Sequence, residues 1–393
     1  MKAVNRIWGQ ALRILFYLPV VTPWWFSQII TPMLRTLHDE AELHIMIAPI
    51  WRNTGLEPDH LLPLANLDRI HWHIMDHEDP APFRLNGAAV PGLLDLVNTI
   101  NPDLTLARSA DEATPALFPG AVRYIMEGAA PPFDTDKRWV ILEERLFSFG
   151  AMPRRAAAIG QECARILGPA WAHAEQLLAI EPPLGWRNQW GLPHDRPILG
   201  VPLQYEHEED FFVAGSAAPR ARDLLAMLLE TLDEQVFLAI TDHPLNRVFL
   251  DRSDVHQLIA AHPHRARLCT SNALPQGATG VFAAHADALL IDQSKSWSLA
   301  AFAGTPALRI GTRPIADWIG FSEDLASFPR KLKRPDRVTM RRWFGWHLGA
   351  RVLDPTRFTL DELIARANGK ATGAMITANL QMVLDRLPRA EAA

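Results

Sequence analysis

The feature that most constrains this chain is an alternation of short apolar runs with helical patterns, which it performs twice. In the first half, residues 13–21, 43–48, 70–75, 104–107 and 121–125 read as strands. Helices are predicted over 27–42, with Ser27 as the cap, over 90–100 and over most of 151–180. In the second half, strands are predicted over 198–203, 236–241, 267–270, 288–292 and 306–310. Helices are predicted there over 220–232, 254–261 and 296–303, with a mainly helical tail from Asp336. Strands separated by helices need crossover connections, and these build parallel sheets covered on both faces. Between the halves, residues 181–197 hold four prolines, two glycines and two tryptophans, a run that punctuates the chain. The expected plan is α/β: an N-terminal Rossmann-like domain over 1–185, a C-terminal one over 197–335, and a helical tail over 336–393.

A length of 393 residues agrees with two or three domains at roughly 100–200 residues each. With 48% apolar and 21% charged residues the chain can bury a sizeable core, which excludes disorder and small disulfide scaffolds. A net charge of −5 argues against a nucleic-acid-coating protein. Cys163 and Cys269 are too few for a disulfide framework or a cysteine zinc site. Near the N-terminus, Lys2 and Arg6 precede an apolar run at 14–21 that Pro19 and Pro23 interrupt. It falls short of the about 20 residues of a membrane helix and reads as a buried first strand, with an export or anchoring segment as the alternative.

Ligands of open parallel sheets sit at the carboxyl ends of the strands. Three such ends in the second half carry chemistry. After the strand at 198–203 come Gln204, Tyr205, Glu206, His207, Glu208, Glu209 and Asp210. Gln204 suits fixed hydrogen bonds, and Glu206, Glu208 or Asp210 suits a base; a solvated acidic loop is the alternative. Asp242, His243 and Pro244 follow the next strand, where His243 can offer an N–H to a phosphate or a sugar, or simply shape a turn. Ser294, Lys295 and Ser296 lie between a strand and a helix, so hydroxyls and a helix N-terminus there suit an anion or a plain cap. No phosphate-binding P-loop, G-x-G-x-x-G or G-x-S-x-G motif occurs at the required places. His71, His73, Asp76, His77 and Glu78 form a metal-like cluster, with His71 and His73 on one strand face, but they match no recognised metal spacing.

In order and spacing, these segments resemble the capsule polysaccharide biosynthesis family, which includes bacterial Kdo transferases. Pro202-Leu203-Gln204 with its acids is similar to that family's P-L-Q-x-x-x-D segment, with Glu208 in place of the aspartate. His243-Pro244-Leu245 is similar to its H-P-L segment, and 294–304 to its N-S-T-x-G-L-x-A-L-x-x-G segment, with Gln293 and Trp297 as departures. The resemblance covers residues 198–328. It implies a GT-B glycosyltransferase with two facing Rossmann-like domains, no metal requirement and no cofactor. Gln204, His243, Pro244, Ser294 and Ser296 would hold a nucleotide sugar, and Glu208 and Asp210 would be catalytic, with Asp76 a further candidate base.

The donor expected is a CMP-activated acidic sugar such as Kdo or sialic acid, and the acceptor a glycan or lipid-linked glycan of a bacterial surface polysaccharide. A UDP- or GDP-sugar transferase, a CDP-alditol transferase, a UDP-sugar epimerase and a silent polysaccharide-binding scaffold remain open. Seven basic residues between Arg330 and Arg342, next to Trp343 and Phe344, suit an anionic membrane surface or a solvated linker. A cytoplasmic enzyme is the expected setting, with peripheral attachment at the inner membrane as an open option. Trp186 and Trp190 are candidates for stacking on sugars, against a default of packing.

Overall fold

The computed structural model describes residues 11–50, 55–133, 136–182, 184–206, 216–218, 220–270 and 277–387. Contacts divide the chain into two units. One contains the residues up to Ala129, the segment ending at Leu146, and His347–Gln381. The other contains Phe147–Trp346, with the short piece around Pro131 and the end of the last helix.

The first unit holds a six-stranded sheet of β1 (Leu12–Leu18), β2 (Ala41–Ile47), β3 (Ile70–Ile74), β4 (Leu104–Ala107), β5 (Ala121–Glu127) and β6 (Val140–Glu143). Their order is β3-β2-β1-β4-β5-β6, and all pairs are parallel except β5 with β6. Six of the seven β1 residues are buried, as expected of a central strand covered on both faces. Ile14, Phe16, Leu43 and Ile45 point into one apolar core with Met33, Leu34, Leu360 and Leu363. The helix Leu360–Ala367 starts in a capping box: Thr359 accepts from the Glu362 N–H, and Glu362 reaches back to the Thr359 N–H. This part of the C-terminal tail therefore completes the first unit's core.

The second unit holds β7 (Ile198–Pro202), β8 (Phe237–Thr241), β9 (Ala266–Leu268), β10 (Ala288–Ile291), β11 (Ala307–Arg309) and β12 (Phe321–Ser322). Their order is β12-β11-β10-β7-β8-β9, with every pair parallel. Each sheet thus begins at its centre, winds outward to one edge, and returns to wind outward to the other. This is the doubly wound α/β arrangement, and its winding reverses between β1 and β4 and between β7 and β10. Gly200 in β7 is required by packing: a Cβ there would lie 2.7 Å from Phe282 Cβ on the helix Gly277–His285.

Several boundaries differ from the sequence expectation. The first helical segment starts at Pro23, capped by Thr22, whose hydroxyl accepts from the Trp25 N–H. Ser27 lies inside that segment, with its own hydroxyl donated to the Trp24 carbonyl, so it caps nothing. β6, β12 and the helix Gly277–His285 were not anticipated. The helices Ala157–Ile166 and Gly168–Leu178 group with the second unit, although the Pro-rich segment follows them. The physical reason is a close helix crossing. A Cβ on Gly160 would lie 2.1 Å from the Arg342 carbonyl oxygen, and one on Gly345 would lie 2.2 Å from that of Gly160. Trp171 joins the same packing, with its ring 4.6 Å from that of Phe302 and 5.9 Å from that of Phe344.

The linker tryptophans are packed as well. Trp190 donates its indole N–H to the Thr270 carbonyl, and Trp186 lies nearly parallel to the His285 ring. Both are buried, so packing and not a sugar platform is their role in this structure. No helix among the described residues is long and apolar enough to cross a membrane.

Candidate active site

The carboxyl ends of β7, β8 and β10 come together around the winding reversal of the second sheet. Parallel pairing of β7 with β8 and with β10 places their exits side by side. Gln204, just beyond β7, donates its amide N–H to Asp292 Oδ2 just beyond β10, at 2.6 Å. Ser216 donates its hydroxyl to the same oxygen, and Gln293 Nε2 lies 3.5 Å from Oδ1. Asp292 is buried, and burial raises its pKa above the ordinary 3.8, against the opposing effect of these donors. Gly311 is close by: a Cβ there would lie within 3.0 Å of Asp292 Oδ1 and Gln293 Nε2.

A second buried network supports the β7 and β8 exits. Arg252 donates from Nε to Asp242 Oδ2 at 3.0 Å, and from one terminal nitrogen to Glu206 Oε2 at 2.6 Å. Asn246 donates to the Gln204 carbonyl and to Asp242 Oδ1, both at 2.7 Å, and accepts from the Glu206 N–H at 3.0 Å. Glu206 also accepts from the Ala221 N–H at 3.0 Å, at the start of a helix. Of the acids weighed as bases, Glu206 is thus committed to holding the loop.

His243 follows β8 in a turn closed by its own carbonyl, which accepts from the Asn246 N–H. Its Nδ1 lies 3.3 Å from the Leu245 N–H and accepts from it. Burial lowers the ring's pKa below 6.5, with the Asp242 charge opposing, so the ring is neutral at pH 7. A neutral ring that accepts at Nδ1 carries its proton at Nε2. That nitrogen is therefore a fixed N–H donor. Tyr205 lies beside the ring, with centroids 5.6 Å apart, and Pro244 is exposed.

Beyond β10, the Ser294 hydroxyl accepts from the Ser296 N–H at 3.2 Å, at the start of the helix Ser296–Ala303. The Ser296 hydroxyl is buried and makes no hydrogen bond among the described residues. Trp297, out of place beside the family pattern, has a packing role. Its ring contacts those of Phe149, Trp318 and Trp343, at centroid distances of 5.8, 6.0 and 4.8 Å.

The structure gathers Gln204, His243, Pro244, Ser294 and Ser296 at neighbouring strand ends of one sheet. Glu208 and Asp210, the expected catalytic acids, lie outside the described residues. Asp292, Arg252 and Asn246 were not singled out from sequence. Asp292 did stand directly at a strand end, which was its one available signal. Arg252 and Asn246 gave none, because their roles depend on partners 42–46 positions away.

No family model matches the chain, and no curated protein matches its sequence. Among solved structures, the chain is similar to a beta Kdo 2,7 transferase, KpsC of Thermosulfurimonas dismutans. Identity is 13% over 91% of this chain and 98% of that one, with a TM-score of 0.46. It is also similar to the beta Kdo 2,4 transferase of KpsC from the same organism, at 9% identity over 95% and 99% of the two chains and a TM-score of 0.45. A third similar structure is the E. coli ADP-heptose lps heptosyltransferase II, at 12% identity over 86% and 98% and a TM-score of 0.24.

Proposed function

We propose that this chain is a GT-B glycosyltransferase of bacterial surface-polysaccharide assembly, with a CMP-activated acidic sugar such as Kdo or sialic acid as donor. The observation that carries the reading is the Gln204–Asp292 hydrogen bond at the winding reversal of the second sheet, flanked by His243 and by Ser294 and Ser296. The resemblance of these segments to the capsule family supplies the donor class.

In this reading the acceptor hydroxyl oxygen bonds to the anomeric carbon as the bond from that carbon to the phosphate oxygen breaks. The phosphate leaves with the electron pair, and the hydroxyl proton passes to a base, for which Glu208 and Asp210 are the candidates. The leaving phosphate gains charge, so donors already in place stabilise the transition state. His243 Nε2–H, the Ser294 and Ser296 hydroxyls, and the start of the helix Ser296–Ala303 provide them. Gln204, held by Asp292, would position the sugar. Two doubly wound sheets of matching order are what a GT-B plan requires.

The basic stretch would add electrostatic attachment to an anionic membrane surface near a lipid-linked acceptor. Arg330, Lys331, Lys333, Arg334, Arg337 and Arg341 are exposed, whereas Trp343 and Phe344 are buried and unable to insert. The test is nucleotide release from CMP-Kdo and CMP-sialic acid, with and without a glycan acceptor. Acceptor-dependent CMP release, lost in His243→Ala, is expected. Turnover of a UDP-sugar without acceptor would favour an epimerase, and silence with all donors a scaffold.

A further inference from the structure

The geometry points to a divalent transition-metal site, of a kind suited to zinc, formed by Glu42, His44 and His71 in the first unit's sheet. Glu42 and His44 are two residues apart on β2, so they share one face. β3 pairs in parallel with β2 so that His71 lies opposite His44 and His73 opposite Met46. Their face is opposite the apolar core, which takes the alternate residues Leu43, Ile45, Ile70 and Trp72. Glu42 Oε1 lies 3.1 Å from His44 Nε2 and 3.7 Å from His71 Nε2. One ligand atom from each residue falls within 4.8 Å of the others. Bonds of about 2.0–2.2 Å to a tetrahedral zinc set ligand atoms about 3.3–3.6 Å apart. The Glu42 contacts bracket that spacing, and the His71 side chain, half-exposed on an edge strand, can rotate to close the remainder.

The surroundings fit as well as the ligand atoms. His44 Nδ1 lies 3.1 Å from His73 Nε2, and the two rings are within 7° of parallel. With Nε2 of His44 on a metal, its Nδ1 carries the proton and donates to His73. A second hydrogen bond of this kind orients most metal-binding histidines. Two histidines and one carboxylate leave a fourth position for water.

The cluster occupies the beginning and middle of β2 and β3. It is therefore away from the carboxyl edge where a doubly wound sheet takes its substrates. The role that follows is to clamp the edge strand β3 to β2, separate from the glycosyl-transfer reading.

The test is a titration of the untagged, metal-stripped chain with Zn²⁺ by calorimetry and with Co²⁺ by visible absorption. One equivalent should bind, with the intense absorption of four-coordinate cobalt, and zinc should raise the melting temperature. His44→Ala and His71→Ala should abolish both signals. His73→Gln should weaken zinc binding 10–100-fold while preserving one equivalent. His71 is half-exposed, so His71→Ala should fold like the wild type by circular dichroism, which keeps its result interpretable. Absence of binding to the wild type, or equal binding by His71→Ala, would overturn the site.

Discussion

Gln204 Nε2 donates to Asp292 Oδ2 over 2.6 Å and so ties the exit of β7 to the exit of β10, where the second sheet reverses its winding. Asp292 is buried and serves Ser216 as well. Replacing it with alanine strands two donors, at a cost of about 1–3 kcal/mol each where they stay dry. Asp292→Ala should therefore lower the unfolding free energy in urea by a few kcal/mol and abolish turnover. Gln204→Ala should spare most of the stability and reduce kcat.

Asp292 also gives a pH dependence with a definite sign. Its folded pKa is raised by burial from an ordinary 3.8. Between those two values the native state holds a proton that the unfolded state has lost, so stability falls as pH rises through that window. Above the folded value the penalty is constant. Asp292→Asn removes this contribution while keeping the size and an acceptor oxygen. Wild-type stability minus that of the variant should decline as pH rises from about 3.8 and then level off. A flat difference would contradict burial of the carboxyl.

The Ser296 hydroxyl separates a binding role from a structural one. It is buried without a hydrogen bond among the described residues. Such a group destabilises a fold by about 1–3 kcal/mol when nothing satisfies it. Ser296→Ala should leave the melting temperature of the unliganded protein unchanged or higher, and weaken nucleotide binding. A loss of unliganded stability would assign the hydroxyl to the fold.

Arg252 should be a support for the site and not a ligand contact. It joins Asp242 and Glu206 beneath the loop that carries Gln204. Removing one partner from a buried ion network costs about 3–5 kcal/mol. Arg252→Met should show a loss of that order in chemical denaturation. Gly345→Ala tests a different support, the helix crossing at Gly160, and should cost about 1–3 kcal/mol through overpacking.

Ten of the twelve described strands were legible as short apolar runs between turns, as with 12–18 and 198–202. β12 was hidden by its length of two residues, whereas β6, as long as the legible β4, was passed over despite its apolar Val140, Ile141 and Leu142. The helix Gly277–His285 was missed because it is buried on several sides and shows no amphipathic stripe. Unit membership was harder still. Nothing local in 157–178 shows that Gly160 meets a helix some 180 positions later. At the candidate site, the strand-end rule singled out Gln204, His243 and Ser296, since it depends only on where a strand stops. The salt bridges and amides that hold them, through Arg252 and Asn246, arise only from tertiary proximity.

The central claim is that the second sheet's strand ends hold the phosphate of a CMP-sugar, and nucleotide-induced thermal stabilisation of wild type and His243→Ala tests it most directly. At about 100 times its Kd, a ligand adds about 2.7 kcal/mol to the unfolding free energy. The account predicts a shift with CMP, absent with UDP, GDP, CDP and ADP, and lost in His243→Ala. A shift with UDP or GDP alone, or one that His243→Ala leaves intact, would contradict it.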